Sequence, residues 1–225
     1  MSEFVIAMFA IVGTIISYII GRFVYRRFYT PFLLPITVAT IIIVVVLLVG
    51  NVSYDTYMLG GKWIHSFLGP AVVALAYPLY QHRDLLRRYA VPILFGNFVG
   101  AFVGIVSGLL LAKLADIEGR LLYSLLPKSV TTPVAMEISE AIGGISSLSA
   151  VLVIIAGLTG AMLGPFMFRI FRIRSEIGRG TSFGAASHAI GTAAAFENGQ
   201  LEGSVSTISM ILSAVFTSLL TPLIL

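Results

Sequence analysis

Long uncharged stretches run through this chain and limit what it can fold into. A membrane-spanning helix needs about 20 mostly apolar residues, and most of these stretches approach or exceed that length. Only 11% of the 225 residues are charged, whereas a soluble domain has about 25% charged residues. The stretches without Asp, Glu, Lys or Arg are 4–21, 28–54, 63–82, 89–112, 141–168 and 203–225. The sequence therefore predicts an all-helical, multi-pass integral membrane protein, with 1–225 as a single membrane domain.

Basic residues cluster in three short segments, and these clusters predict how the helices are oriented. Ten of the fourteen Lys and Arg residues belong to them, and basic loops stay on the cytoplasmic side of a membrane. The clusters are Arg22, Arg26 and Arg27; Arg83, Arg87 and Arg88; and Arg169, Arg172, Arg174 and Arg179. With all three in the cytoplasm, seven spans alternate, and residues 127–144 form a re-entrant or interfacial element on the outer side. The predicted spans are 4–21, 31–49, 63–80, 91–112, 147–168, 181–197 and 203–225.

Two parts of the chain resemble each other at an offset of 118 residues: Gly69–Ala76 is similar to Ser187–Ala194. The similarity predicts two three-span units, repeat A (31–113) and repeat B (127–225), after an extra N-terminal helix (1–27). Because three is odd, the second unit is inverted. Inverted repeats whose broken helices meet near the middle of the bilayer are typical of secondary transporters. Two sets of unrelated apolar helices are the alternative interpretation.

Two short polar segments interrupt the apolar sequence. The first polar segment is residues 127–140, with the sequence PKSVTTPVAMEISE, and the second polar segment is residues 187–193, with the sequence SHAIGTA. Lipid cannot satisfy free backbone N–H and C=O groups, so a broken helix persists only where protein or a wet cavity surrounds it. We therefore expect a solute to be held at these two segments.

The first polar segment has the residues that an anion site requires. Pro133 disfavours helical backbone at Thr132 and suits the start of a helix, with Thr131 or Thr132 as its cap. The free N–H groups at such a helix start favour a carboxylate. Lys128 supplies a full positive charge, and Ser129 supplies a hydroxyl. These residues are the predicted anion-binding part of the site.

The second polar segment supplies hydroxyls and a flexible backbone position. Ser187 and Thr192 are candidates for hydrogen bonds to the solute, although such hydroxyls also satisfy neighbouring carbonyls. Gly191 permits an unwound backbone or a close approach. His188 is either a hydrogen-bonded packing residue or a proton carrier, because its pKa lies near neutrality in water.

Three further polar residues are candidates for binding a proton or a coupling cation. Glu137 and Glu140 are three residues apart and share a helix face. They either face the aqueous boundary or, if one is buried, form a proton or cation site, because intramembrane acids are costly to keep. Asn97, inside an apolar run, is either a packing hydrogen-bond donor or a pathway residue.

Glycines at four-residue spacing predict close helix packing or the seam of a homodimer. They are Gly96, Gly100, Gly104 and Gly108 in the fourth span, and Gly160 and Gly164 in the fifth.

Motifs for other functions are missing from the sequence. It has no HExxH, no GxxxxGK[ST] and no cysteine, and His65, His82 and His188 fall in separate segments. We therefore expect no catalytic residues, no metal site, no cofactor and no enzymatic activity. The basic residues lie in separate short loops, which is not the pattern of a nucleic-acid interface.

The chain resembles the LrgB family, also called the CidB or YohK-like family. The matching sequences are PKSVTTPVAME at 127–137 with Gly143 and Gly144, GAASHAIGTA at 184–193, and GPAVVALAYPLY at 69–80. The resemblance covers nearly the whole chain. It implies a multi-pass protein of the bacterial cell (inner) membrane, with a small LrgA/CidA-type membrane partner.

The resemblance implies two alternative functions. One is transport of small monocarboxylates, such as pyruvate in bacteria or glycolate and glycerate in the related plastid transporter. The other is a holin- or antiholin-like modulator of murein hydrolase activity and cell lysis. The polar segments favour a secondary transporter, because a holin requires neither inverted repeats nor buried broken helices.

Overall fold

The computed structural model describes residues 3–28, 30, 33, 35–67, 70, 73–74 and 76–225. The regular secondary structure of these residues is helical, as predicted. The chain divides into two compact units, residues 1–70 and 71–225. This division falls inside the predicted repeat A (31–113). The single membrane domain and the inverted repeats stay predictions.

The described residues of the first unit include three α-helices, in which α1 (Glu3–Phe28) packs against α2 (Pro35–Val49) and α3 (Tyr54–His65). Two glycines permit this packing. A Cβ atom added to Gly21 or to Gly60 would collide with a backbone carbonyl oxygen of the neighbouring helix. Such small residues allow helix backbones to approach closely inside a membrane.

The continuous helix predicted over 63–80 is wrong. The helix ends at His65, where Ser66 donates a 2.7 Å hydrogen bond from its hydroxyl to the Trp63 carbonyl. This local bond competes with continued helical bonding. Residues 70, 73 and 74 are helical again, and the next helix with defined bounds is Ala76–Gln81. Residues 68, 69, 71, 72 and 75 lie outside the described residues, and with them half of the predicted repeat motif over 69–76.

The second unit contains eight described helices. They are α4 (Ala76–Gln81), α5 (Arg83–Arg88), α6 (Ala90–Leu114), α7 (Gly119–Leu125), α8 (Thr132–Ala141), α9 (Ser146–Ile170), α10 (Glu176–Asn198) and α11 (Gln200–Ile224). Among the described helices, α1, α6, α9 and α11 are long and apolar enough to cross a bilayer. The chain is therefore a multi-pass membrane protein, while the seven spans and their orientation stay predictions.

The most extensive packing in this unit is between α10 and α11, which are joined at Gly199. A Cβ atom added to Gly180 would lie 2.5 Å from the Glu202 carbonyl oxygen, and one added to Gly184 would collide with the Ser206 carbonyl oxygen. Only glycine permits this approach. Hydroxyl residues of α11 lie at this interface beside apolar ones such as Val205, so the interface is partly polar.

The segment predicted to re-enter the membrane, 127–144, contains the short helix α8, and the short helix α7 precedes it. α7 has 7 residues and α8 has 10, which at 1.5 Å per residue gives lengths of about 11 and 15 Å. A hydrocarbon core is about 30 Å thick, so neither helix spans it. Both helices pack against α9. Short helices of this kind fit a re-entrant element over 127–144.

Candidate functional site

The second polar segment breaks α10, as predicted. His188 has φ 42° and ψ −130°, a non-helical, left-handed backbone conformation in the middle of the helix. Such a conformation costs about 1–3 kcal/mol and persists only where surrounding structure holds it. The break therefore has to be stabilised by specific contacts.

Hydrogen bonds supply those contacts. His188 Nε2 lies 2.9 Å from the Val153 carbonyl oxygen in α9, and because a carbonyl only accepts, Nε2 is the donor. The Thr192 hydroxyl donates to the His188 carbonyl at 2.8 Å and also lies 2.9 Å from the Ser206 hydroxyl of α11. Of the two interpretations of His188, this geometry favours the packing residue. Thr192 likewise satisfies backbone and neighbouring polar groups.

The broken region of α10 packs closely against glycines of α9. A Cβ atom at Gly160 would collide with the Ser187 hydroxyl, and one at Gly157 would lie 2.5 Å from His188 Nε2. Gly164 faces the Phe183 ring in the same way. The close packing predicted for Gly160 and Gly164 is confirmed.

The first polar segment begins α8 as the sequence predicts. Thr131 is the N-cap in extended conformation, α8 starts at Thr132, and Pro133 lies in its first turn. No side chain caps the free N–H groups of this helix start. Thr131 is only 7% exposed, and its hydroxyl oxygen has no hydrogen-bond partner. A buried polar atom without a partner is rare in a folded protein, so this helix start retains unused hydrogen-bonding capacity.

Lys128 and Ser129 lie against the glycines of α6. The Lys128 ammonium donates to the Gly104 carbonyl at 3.2 Å, and a Cβ atom at Gly108 would lie 2.9 Å from the same nitrogen. The Ser129 hydroxyl faces Gly104. An ammonium has three N–H donors, so Lys128 retains donors for another acceptor.

A cavity of about 840 Å³ opens along the same glycine face. Gly96, Gly100 and Gly104 form one wall, the first half of α10 forms the other, and Ser129 lies at the cavity lining. Thr181 of α10 also lines it, and its buried hydroxyl has no partner. The glycine stripe therefore lines a cavity in addition to packing against α10; the homodimer seam stays a prediction.

The two polar segments share neighbours in α9 and α11. Val130 and Val134 belong to one buried cluster with Val153 and Ala214, and the Val153 carbonyl is the partner of His188. Within residues 76–225, which are described without a gap, no hydrogen bond joins the two segments directly. They converge on α9 and α11.

Asn97 is completely buried. Its amide nitrogen donates to the Ile93 carbonyl at 2.7 Å and to the Ser209 hydroxyl at 3.1 Å, while its amide oxygen has no partner. These contacts favour the packing interpretation over a pathway residue.

Glu137 and Glu140 are exposed on the surface of this chain. The Ser146 hydroxyl donates to the Glu140 carboxylate at 3.3 Å. A proton or cation site at these residues required a buried carboxylate, and neither carboxylate is buried.

One buried acid, Glu202, is not among the predicted site residues. Glu202 is 1% exposed, and its carboxylate accepts a 2.8 Å bond from Arg179 and a 2.7 Å bond from Asn198. Arg179 belongs to a predicted cytoplasmic basic cluster, and Glu202 lies between the predicted spans 181–197 and 203–225. The Ser and Thr residues at three- and four-residue spacing along α11 were the available signal for a buried polar face. They are Ser206, Ser209, Ser213, Thr217 and Thr221.

Comparison with known proteins supports the predicted family. The model of the LrgB-like family matches residues 14–225. The uncharacterized protein YxaC of Bacillus subtilis is 48% identical over 224 residues, covering all of this chain and 97% of that protein. The holin-like protein CidB of Staphylococcus epidermidis is 37% identical, and that of Staphylococcus aureus 35% identical, each over all of this chain and 98% of the relative. No solved structure matches the chain. The chain belongs to the LrgB-like family.

Proposed function

We propose that this protein has a holin-like role in the cell membrane and modulates murein hydrolase activity and lysis. The support is its similarity over full length to relatives named holin-like protein CidB. These names favour the holin-like alternative over the transport prediction. We also propose that it works as a homodimer in the inner membrane, with a small LrgA/CidA-type partner.

The geometry favours a more specific molecular activity, which we propose as a second function: transport of a small monocarboxylate such as pyruvate or glycolate. The observations that support it are the break of α10 at His188 and the start of α8, whose N–H groups no side chain caps; both helices pack against α9. Carboxylate and proton balance across the membrane would then influence lysis indirectly. Transport would be the molecular activity and the holin-like role its consequence in the cell, so the two proposals are compatible.

Four residues of the first polar segment have a role in this proposal. Lys128 pairs with the carboxylate through its remaining N–H donors, and Ser129 and Thr132 supply hydroxyls. The start of α8 adds a partial positive charge, which stabilises an anion by about 0.3–1 kcal/mol when exposed and up to about 2 kcal/mol when partly buried. The unpaired Thr131 hydroxyl donates to the second carboxylate oxygen.

The second polar segment provides the movable part of the proposed carrier. Ser187 and Gly191 lie on either side of the break, and Ala185 and Ala186 just before it line the cavity, so a small backbone rotation at the break would change which surface faces the cavity. Repeat B, moving against a scaffold, would then expose the site to alternate sides, by analogy with inverted-repeat transporters.

Lys128→Ala should reduce uptake of labelled pyruvate or glycolate into vesicles containing the purified protein. Loss of a hydrogen bond to a charged group costs about 1.5–3 kcal/mol, which is about 10- to 150-fold in apparent affinity. Lys113→Ala is the matched control, because Lys113 is exposed at the end of α6. Equal uptake by all three proteins would exclude Lys128 from the site.

The cellular role can be tested in bacteria that lack their own LrgB-type protein. Expression of the chain should change the rate of detergent-induced autolysis and the extracellular murein hydrolase activity. Lys128→Ala should lose this effect and Lys113→Ala should keep it. An autolysis rate that does not respond to expression would contradict the holin-like role.

A further inference from the structure

A second polar cavity lies away from the candidate site, at the carboxyl end of α9. Its volume is about 530 Å³. Arginines dominate its lining, and we call it the arginine pocket. Its polar residues are Arg169, Arg172, Arg174, Arg179 and Asn198.

The charge of the arginine pocket is unbalanced. Within the gap-free range 76–225, Arg179 is the one member with a carboxylate partner, Glu202. Arg169, Arg172 and Arg174 are exposed and have no acidic partner in that range. Like charges that share a cavity repel one another, so this arrangement favours occupation by an anion.

The pocket has an ordered backbone. After α9 the chain turns at Arg172, which has a left-handed φ of 53°. The Arg172 N–H bonds to the Arg169 carbonyl at 3.3 Å, and the Ile173 N–H bonds to the Phe168 carbonyl at 2.8 Å. These bonds hold three arginines in one compact turn.

Glu202 orients the opposite side of the pocket. Its carboxylate accepts from Arg179 Nε and from the Asn198 amide. A guanidinium has five N–H donors, so holding Nε leaves the terminal N–H groups of Arg179 available. The pocket thus combines one fixed guanidinium with three that have no acidic partner.

We propose that the arginine pocket binds the phosphate group of an anionic phospholipid. Arginine forks match phosphate oxygens with paired hydrogen bonds. α9 is long and apolar enough to span the bilayer, so its end lies at headgroup depth. The exposed Phe166, Ile170 and Phe171 provide an apolar surface beside the pocket for the acyl chains. Basic pockets at this depth bind acidic headgroups in other membrane proteins.

Native mass spectrometry of the full chain in detergent with equal amounts of phosphatidylglycerol and phosphatidylcholine tests the proposal. The unmodified chain should retain phosphatidylglycerol preferentially. Each arginine near a membrane surface contributes about fivefold, so Arg172→Gln with Arg174→Gln should weaken this binding about 25-fold. The matched control is Arg83→Gln with Arg87→Gln, two exposed arginines of α5 that do not line the arginine pocket, and this control should change the binding less than about twofold.

Equal loss in both double variants would overturn the proposal, because it would indicate general charge attraction. Displacement of the lipid by excess inorganic phosphate, with phosphate bound to lipid-free protein, would overturn the lipid assignment. If the first double variant does not fold, Arg169→Gln with Arg174→Gln provides the same comparison.

Discussion

Gly184→Val is expected to destabilise the protein more than any other substitution considered for this chain. An added Cβ atom would collide with the Ser206 carbonyl oxygen and lie 2.8 Å from the Met210 backbone nitrogen. Backbone atoms cannot rotate away as side chains can, so α10 and α11 would have to separate. Overpacking costs about 1–3 kcal/mol and occasionally more, and we expect at least about 3 kcal/mol here.

The measurement is the thermal stability of the purified protein in detergent. A loss of about 3 kcal/mol lowers Tm by about 6–12 °C for a chain of this size. Gly13→Val is the matched control, because nothing lies within 4 Å of a Cβ atom added there. If both variants melt together with the unmodified protein, the close α10–α11 packing is contradicted.

Glu202→Ala should be the second most damaging change. Breaking a buried ion pair by removing one partner costs about 3–5 kcal/mol. The Arg179 side chain is 30% exposed, so water compensates it in part and we expect about 2–3 kcal/mol. The Asn198 amide loses its acceptor in the same variant.

A double-mutant cycle tests this pair directly. Because the cost comes from the unpaired charge, Arg179→Ala combined with Glu202→Ala should be no less stable than Glu202→Ala alone. Glu140→Ala, which removes an exposed acid, should change stability by less than about 0.5 kcal/mol. Strict additivity of the two single variants would show that the pair is not coupled.

The long helices could be predicted from the sequence because charge is excluded from them. The predicted spans 91–112 and 147–168 differ by only one or two residues at each end from α6 and α9. The start of α8 could be predicted because a proline such as Pro133 is favoured in the first turn of a helix and disfavoured in its interior. These features depend on local chemistry, which is visible in one sequence.

Features that depend on tertiary partners could not be located in this way. The break falls at His188 because the Val153 carbonyl and Thr192 hold that residue, and neither contact is visible in the sequence. Glu202 was missed because its partner Arg179 is distant in the chain. A continuous helix over 63–80 was wrong because the uncharged composition of this stretch does not reveal the helix end at His65, which Ser66 stabilises.

The exposure of Glu137 and Glu140 has the same explanation. Their spacing placed them on one helix face, but the sequence does not say which face of α8 meets α9. Val134, Ala135 and Ile138 occupy the buried face. Apolar packing therefore decided the orientation of this helix.

We propose that the two polar segments form a protein-lined site for a small anion, and not a lesion in the membrane. Vesicles containing the protein and loaded with both labelled pyruvate and calcein test this most directly, because release of both solutes is followed in one sample. We predict saturable release of pyruvate with calcein retained. Release of calcein in parallel with pyruvate would contradict the account.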